Sequence, residues 1–261
     1  VLSINPFWYG LDRDQSARII RLQNEKLAGL VAARPERFAA LASVSLQHPD
    51  LACEELEEAV AKWRLRGAAI GASVNGDELA NPRFDPFWAR AEALDAVIFI
   101  HPQQGQPNPR LQGRGALGLA VGNPIETTIA LSHLIFEGTL DRFPRLKLCV
   151  AHGGGYLPSY AGRTDNGCRV FPDQCQGKPL ARKPSEYLRQ LYIDSLVFTP
   201  EGLRHLVAEV GADRIVLGTD YPYPWTSTAI DHVLQTPDLR DADRIAILGG
   251  TAARLLGIPV T

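Results

Sequence analysis

Seven short apolar runs, most of them separated by a helical pattern, constrain the fold of this chain more than any other feature. They fall at residues 1–4, 38–46, 67–70, 97–100, 146–151, 191–194 and 215–219. A strand with one face in water alternates polar and apolar residues. A run as continuously apolar as Val97-Ile98-Phe99-Ile100 belongs instead to a strand buried on both faces, as in parallel sheets covered by helices. Alternation of such strands with helices specifies an α/β fold. Seven strands suit an open sheet, and an eighth before Val1 would close a (β/α)8 TIM-like barrel. The chain opens on Val1-Leu2-Ser3-Ile4, a strand already in progress, and contains no methionine. We therefore expect a single barrel domain over residues 1–261 whose first strand lies in an N-terminal segment absent from this chain.

The helical patterns are equally plain. Ala17, Ile20, Leu22, Leu27, Leu30 and Val31 repeat with helical spacing and stop before Pro35. His48-Pro49-Asp50 opens a second helix carrying Leu51, Leu56, Ala59, Val60 and Trp63. Residues 86–94 form a third. Asn123-Pro124 reads as an N-cap and first-turn pair for a helix running to about Glu137. Residues 199–210 form another, and two short patterns close the chain.

Composition excludes some classes of function. A formal charge of -2 leaves no basic surplus for nucleic acid or an anionic membrane. No apolar stretch approaches the ~20 residues of a spanning helix, and no secretory signal is recognisable. Cys53, Cys149, Cys168 and Cys175 make no C-x-x-C pair. Reduced thiols in a cytoplasmic protein are the expectation.

Three of the strands end in ionisable residues. One runs into His101-Pro102, one into His152-Gly153-Gly154-Gly155, and one through Gly218-Thr219 into Asp220. In a barrel the carboxyl ends of the strands form the active-site face. Two imidazoles and a carboxylate there suit Zn²⁺, Mn²⁺ or Fe²⁺, although a catalytic zinc needs a further ligand from elsewhere. His48, His133, His205 and His232 fall at helix starts, within helices or near the C-terminus, where surface or packing roles are expected. Asp194 ends its strand and either faces the pocket or caps the following loop. Phe7, Trp8 and Tyr223 follow strand ends and either line a slot for an aromatic or dienoic substrate or anchor their loops. Glu126, in the first turn of its helix, has a structural role beside the helix dipole. None of Lys26, Lys62, Lys147, Lys178 and Lys183 lies at a strand's carboxyl end. A lysine-bridged pair of metals is therefore not expected.

Two motifs point elsewhere and fail on context. Gly113-Arg114-Gly115-Ala116-Leu117-Gly118 satisfies G-x-G-x-x-G, but a polar loop rather than a strand precedes it. We read it as a mobile loop near the pocket. His152-Gly153-Gly154-Gly155 is like a lipase oxyanion loop, yet the chain has no G-x-S-x-G elbow.

Several stretches together carry a family resemblance. They are residues 1–6, Arg34-Pro35-Glu36-Arg37-Phe38, Phe99-Ile100-His101-Pro102, Gly122-Asn123-Pro124-Ile125-Glu126-Thr127-Thr128, 151–155 with Gly162-Arg163, and 217–222. In this order they resemble the amidohydrolase superfamily, in the branch around aminocarboxymuconate-semialdehyde decarboxylase. The resemblance implies a (β/α)8 barrel holding one divalent metal, usually zinc, with manganese as the alternative. Its ligands would be a His-x-His pair on the first strand, expected upstream of Val1, with His101 on strand five and Asp220 on strand eight. His152 matches the family's catalytic histidine on strand six, working beside Asp220. Arg163 matches an arginine that holds a substrate carboxylate, in some relatives across a dimer interface, so a homodimer is implied. Leu119 stands where the decarboxylase archetype has a pocket tryptophan, which leaves the substrate open.

The function expected on these grounds is metal-dependent, non-oxidative decarboxylation of an aromatic or unsaturated carboxylic acid. The alternative is a hydrolase or hydratase of the same superfamily. A non-catalytic barrel is the third reading, and intact His101, His152 and Asp220 argue against it.

Overall fold

The segment Gly67-Ala68-Ala69-Ile70 has no polar side chain, all four residues are buried, and a parallel strand flanks it on each side. It is typical of the sheet around it. The structure is a computed structural model that describes residues 1–5, 7–103, 109–175 and 180–259. Along the chain the strands are β1 (Ala42–Ser43), β2 (Gly67–Ile70), β3 (Ser73–Val74), β4 (Asp77–Glu78), β5 (Val97–Ile100), β6 (Lys147–Val150), β7 (Leu191–Asp194) and β8 (Ile215–Val216).

The main sheet runs β1-β2-β5-β6-β7-β8, and every pair in it is parallel. Leu2 extends it past β1. Its N–H donates to Ala39 at 2.8 Å, and its carbonyl accepts from Leu41 at 2.8 Å. All seven expected strands are therefore present. Their spatial order equals their chain order, apart from the β3–β4 hairpin that stands outside the sheet. A doubly wound sheet reverses its order at a switch point. Continuous same-sense winding is that of a (β/α) barrel, and the fold is of this TIM-barrel type. Among the described residues no ladder joins Leu2 to β8.

The helices between strands are α1 (Arg13–Ala33), α2 (Pro49–Ala61), α3 (Asp85–Ala93), α4 (Asn123–Phe136), α5 (Thr139–Arg142), α6 (Leu157–Val170) and α7 (Pro200–Val210). After β8 come α8 (Ala229–Gln235), α9 (Asp241–Ile245) and α10 (Thr251–Leu256). Their starts follow from local chemistry. Asp12 accepts the Gln15 N–H at 2.9 Å, Thr199 accepts that of Gly202 at 3.0 Å, and prolines occupy the first turns of α2 and α7. α7 buries one apolar stripe, made of Leu203, Leu206 and Val210. No described helix is long and apolar enough to cross a membrane.

Two expectations are corrected. Asn123 is not an N-cap. A π-helical turn over Gly118–Gly122 leads straight into α4, Asn123 has φ -59° and ψ -47°, and its N–H donates to the Gly118 carbonyl five residues back. The wide turn absorbs the hydrogen bond that Pro124 cannot make, so the proline is tolerated inside a helical run instead of marking its start. Nor are all the cysteines reduced. Cys168 and Cys175 form a disulfide with Cα atoms 5.4 Å apart, because the chain turns back after α6. Cys53 and Cys149 are free. The cysteines therefore no longer argue for a reducing compartment. Pro6, Lys178 and residues 104–108 of the polar loop lie outside the described residues.

Candidate metal centre

With every strand of the main sheet parallel, all the carboxyl ends lie on one side. His101 continues the β5 ladder, its N–H donating to Ile70 at 2.9 Å. Ala151 does the same for β6, donating to Ile100 at 3.1 Å. One residue later the chain breaks sharply from the strand. His152 has φ +57°, and Gly153, Gly154 and Gly155 follow with φ between +63° and +72°. A β-carbon on Gly155 would stand 2.3 Å from the Pro124 carbonyl oxygen, and one on Gly153 would stand 2.5 Å from Val197 Cγ1. The glycines are there for close approach as well as for φ. Asp220 also adopts positive φ, +53°. For residues other than glycine this conformation costs of order 1–3 kcal/mol and persists where surrounding contacts impose it.

These turns converge. His101 Nε2 lies 3.5 Å from one Asp220 carboxylate oxygen, and His152 Nε2 lies 3.9 Å from the other. The two imidazoles meet edge to face with centroids 5.0 Å apart. All three side chains are about 15% exposed, so the cluster is recessed yet reachable. Burial disfavours the charged form of Asp220, but the polar and electrostatic pull of the His101 and His152 imidazoles outweighs it and holds the carboxyl well below its usual range.

The donor set fits a divalent cation. One ligand atom from each of His101, His152 and Asp220 lies within 4.8 Å of the others. Ligand bonds near 2 Å place donors roughly 3.3 Å apart across a tetrahedral ion, so small adjustments would close the site. Among the described residues no lysine stands at this face. Lys147 lies at the amino end of β6, paired with Asp95.

Two residues complete the surroundings. The Asn5 side-chain amide lies 3.4 Å from His101 Nδ1, the ring nitrogen facing away from Asp220. Sequence reasoning passed over Asn5, although a polar residue at the tip of the opening run was a usable signal. Asp194, ending β7, takes three backbone N–H groups: His152 at 2.9 Å, Gly153 at 2.8 Å and Leu196 at 3.1 Å. Burial pushes its carboxyl above the ordinary value, against the pull of His152 and of these N–H groups.

The other candidates are dispersed. Phe7 is buried and stacked on Tyr9 at 5.8 Å. Trp8 is part exposed at φ +59°. Tyr223 is exposed in the turn after Asp220, its N–H donating to the Asp220 carbonyl at 2.9 Å. Leu119 is exposed on the π-helical turn. Arg163, on the outer face of α6, lines a cavity of about 770 Å³ with Tyr160, Cys168, Phe171 and Cys175, and none of the three clustered residues borders it. His133 pairs with Glu137 and Glu78, and His205 with Glu209, on helix surfaces.

Comparison with known proteins agrees with this geometry. The family model described as Amidohydrolase matches residues 11–258. The 2-amino-3-carboxymuconate-6-semialdehyde decarboxylase of Dictyostelium discoideum is 34% identical over 99% of this chain and 72% of its own length. The solved structure of a 2,6-dihydroxybenzoate decarboxylase complexed with 2,6-dihydroxybenzoate is 30% identical, with a TM-score of 0.89 over 98% of this chain and 83% of that one. A dihydroxybenzoic acid decarboxylase from Polaromonas sp. JS666, solved with bound manganese and the inhibitor 2-nitroresorcinol, is 27% identical with a TM-score of 0.85, covering 100% of this chain and 82% of that one. A same-sense β/α sheet, a His-His-Asp cluster at its carboxyl face and a family model spanning nearly every residue converge on one conclusion: the chain belongs to the amidohydrolase family.

Proposed function

We propose that this chain is a metal-dependent, non-oxidative decarboxylase of an aromatic or unsaturated carboxylic acid. The observation that carries the reading is the approach of His101, His152 and Asp220 in a chain whose relatives are decarboxylases. His101 and Asp220 would hold one divalent cation, zinc by the preference of its donors or manganese as in the Polaromonas relative. When bound, that cation supplies a Lewis acid that orients an anionic substrate.

His152 then has a single task. As the C–CO₂ bond breaks, its electron pair stays on carbon, CO₂ leaves, and the proton held at His152 Nε2 replaces it. Asp220, 3.9 Å away, stabilises the charged imidazole before transfer. Trp8, Leu119 and Tyr223 would line the slot for the unsaturated body of the acid, with buried Phe7 supporting it through its stack on Tyr9. Arg163 would grip a carboxylate through a bidentate pair. Because it lies apart from the cluster within its own chain, it would do so in the partner site of a homodimer.

The test uses 2,6-dihydroxybenzoate and related aromatic acids with Mn²⁺- or Zn²⁺-loaded protein. Released CO₂ without solvent oxygen entering the product supports the reading. Solvent oxygen in the product moves it to a hydrolase or hydratase. His152→Ala should lower turnover by at least about 10²-fold with metal content near wild type. Loss of the metal in that variant would make His152 a ligand instead of the proton donor.

A further inference from the structure

We propose that Asp194 is a positioning residue that sets where His152 points, a role that rests on the decarboxylase reading. Asp194 is 4% exposed, and the charged group acting on it among the described residues is His152 rather than an arginine or lysine. The partners it takes are backbone N–H groups. Oδ2 accepts from His152, and Oδ1 accepts from Gly153 and Leu196. The first two belong to the turn in which the chain leaves β6 and enters positive φ. Each carboxylate oxygen thus holds one peptide of that turn.

The same side chain also touches the next strand. A β-carbon on Gly218 would stand 2.9 Å from Asp194 Cβ, so the backbone of the β8 extension packs directly on it, two residues before Asp220. Gly218 is in turn held by Ser195, whose Oγ accepts its N–H at 3.3 Å. Asp194 therefore lies between the two tips that carry His152 and Asp220. It grips one by hydrogen bonds and abuts the other by packing. A ring carried on a single-residue turn can swing by more than an ångström if one anchoring bond is lost, and reacting groups misplaced by that much forfeit about 10²-fold in rate.

An amide cannot do this work. In Asp194→Asn the side chain would offer one acceptor oxygen and set its NH₂ against the other backbone N–H. That variant should therefore lower kcat on 2,6-dihydroxybenzoate by about 10²-fold, leave KM within about threefold, and keep metal content near wild type. Gly218→Ala, which shifts Asp194 without changing its chemistry, should give the same pattern more weakly. A crystal structure of Mn²⁺-loaded Asp194→Asn reads the position without any turnover. The expected result is His152 leaving positive φ, with its Nε2 further from Asp220 than 3.9 Å. That arm decides the proposal even if wild-type protein decarboxylates none of the acids tried. An unmoved His152, wild-type kcat in either variant, or insolubility of both variants, which would make the role one of folding, overturns it.

Discussion

His101 turns Nε2 toward Asp220 and leaves Nδ1 3.4 Å from the Asn5 amide. If Nε2 is to give its lone pair to a cation, the ring proton must sit on Nδ1 and needs an acceptor. Asn5 can provide it, since its amide oxygen and nitrogen exchange places by a rotation of the side chain. Asn5→Ala should weaken Mn²⁺ or Zn²⁺ binding by about 10- to 100-fold, and Asn5→Asp should recover it. Competition with a chelator of known affinity measures this, and unchanged affinity in Asn5→Ala would remove Asn5 from the site. At this scale the sequence is informative about the cluster, because three apolar runs lead into an imidazole or carboxylate on what a barrel makes one face. For Asn5 it offers a polar residue at a strand tip but not the partner, which is 96 positions away. It leaves Asp194 undecided, because a loop-capping aspartate and one that holds a catalytic turn have the same local sequence.

Among the elements, α2 shows how a buried charge can dock a helix. Ala52, Leu56 and Ala59 face the interior, and between them Glu55 accepts the Ser45 N–H at 2.6 Å and the Ser45 hydroxyl at 2.9 Å. Burial pushes the Glu55 carboxyl from 4.5 up to about 7, although both hydrogen bonds pull the other way. Between those two values the folded protein keeps a proton that the unfolded chain releases. The stabilisation is thus complete below the lower value and lost as pH rises through the upper one. Glu55→Gln carries no such proton. Relative to that variant, wild-type protein should lose on the order of 3 kcal/mol of stability between pH 4.5 and 8, read from urea midpoints. Parallel pH profiles for the two proteins would show that Glu55 titrates normally. Helices like α2 are legible because their apolar spacing is long and regular. The π-helical turn before α4 is not, because Asn-Pro signals a helix start wherever it stands and only the fold reveals the turn upstream. The β3–β4 hairpin, two residues to a strand, is too short to leave a pattern.

For the whole molecule, the order of strands can be read from the alternation of elements, whereas the outward use of α6 cannot. Its amino end follows the glycine turn of the cluster, yet it leaves Tyr160 in its first turn, Val170 at its last residue and Phe171 just beyond it exposed to solvent at 57%, 46% and 56%. Tyr160 and Phe171 line the same cavity, and two large apolar groups brought together there are more than scattered surface residues. Arg163 stands among them without a salt bridge among the described residues, and Arg142 across the cavity is already paired with Asp85. The cavity it lines is bordered by none of His101, His152 and Asp220, and the proposed shared site places it instead in the partner of a two-fold dimer. Arg163→Ala should therefore raise KM for the acid far more than it lowers kcat, since it removes a grip on the bound carboxylate. The stronger test combines two defective chains. Co-expressed with His152→Ala, it yields mixed dimers in which one site pairs an intact His152 with an intact Arg163. Random assortment would restore about a quarter of wild-type sites, read at acid concentrations well below the raised KM, where neither variant alone turns over appreciably. Activity of the mixture no higher than that of the separate variants would confine Arg163 to its own chain, and a monomer on sedimentation would exclude the shared site altogether.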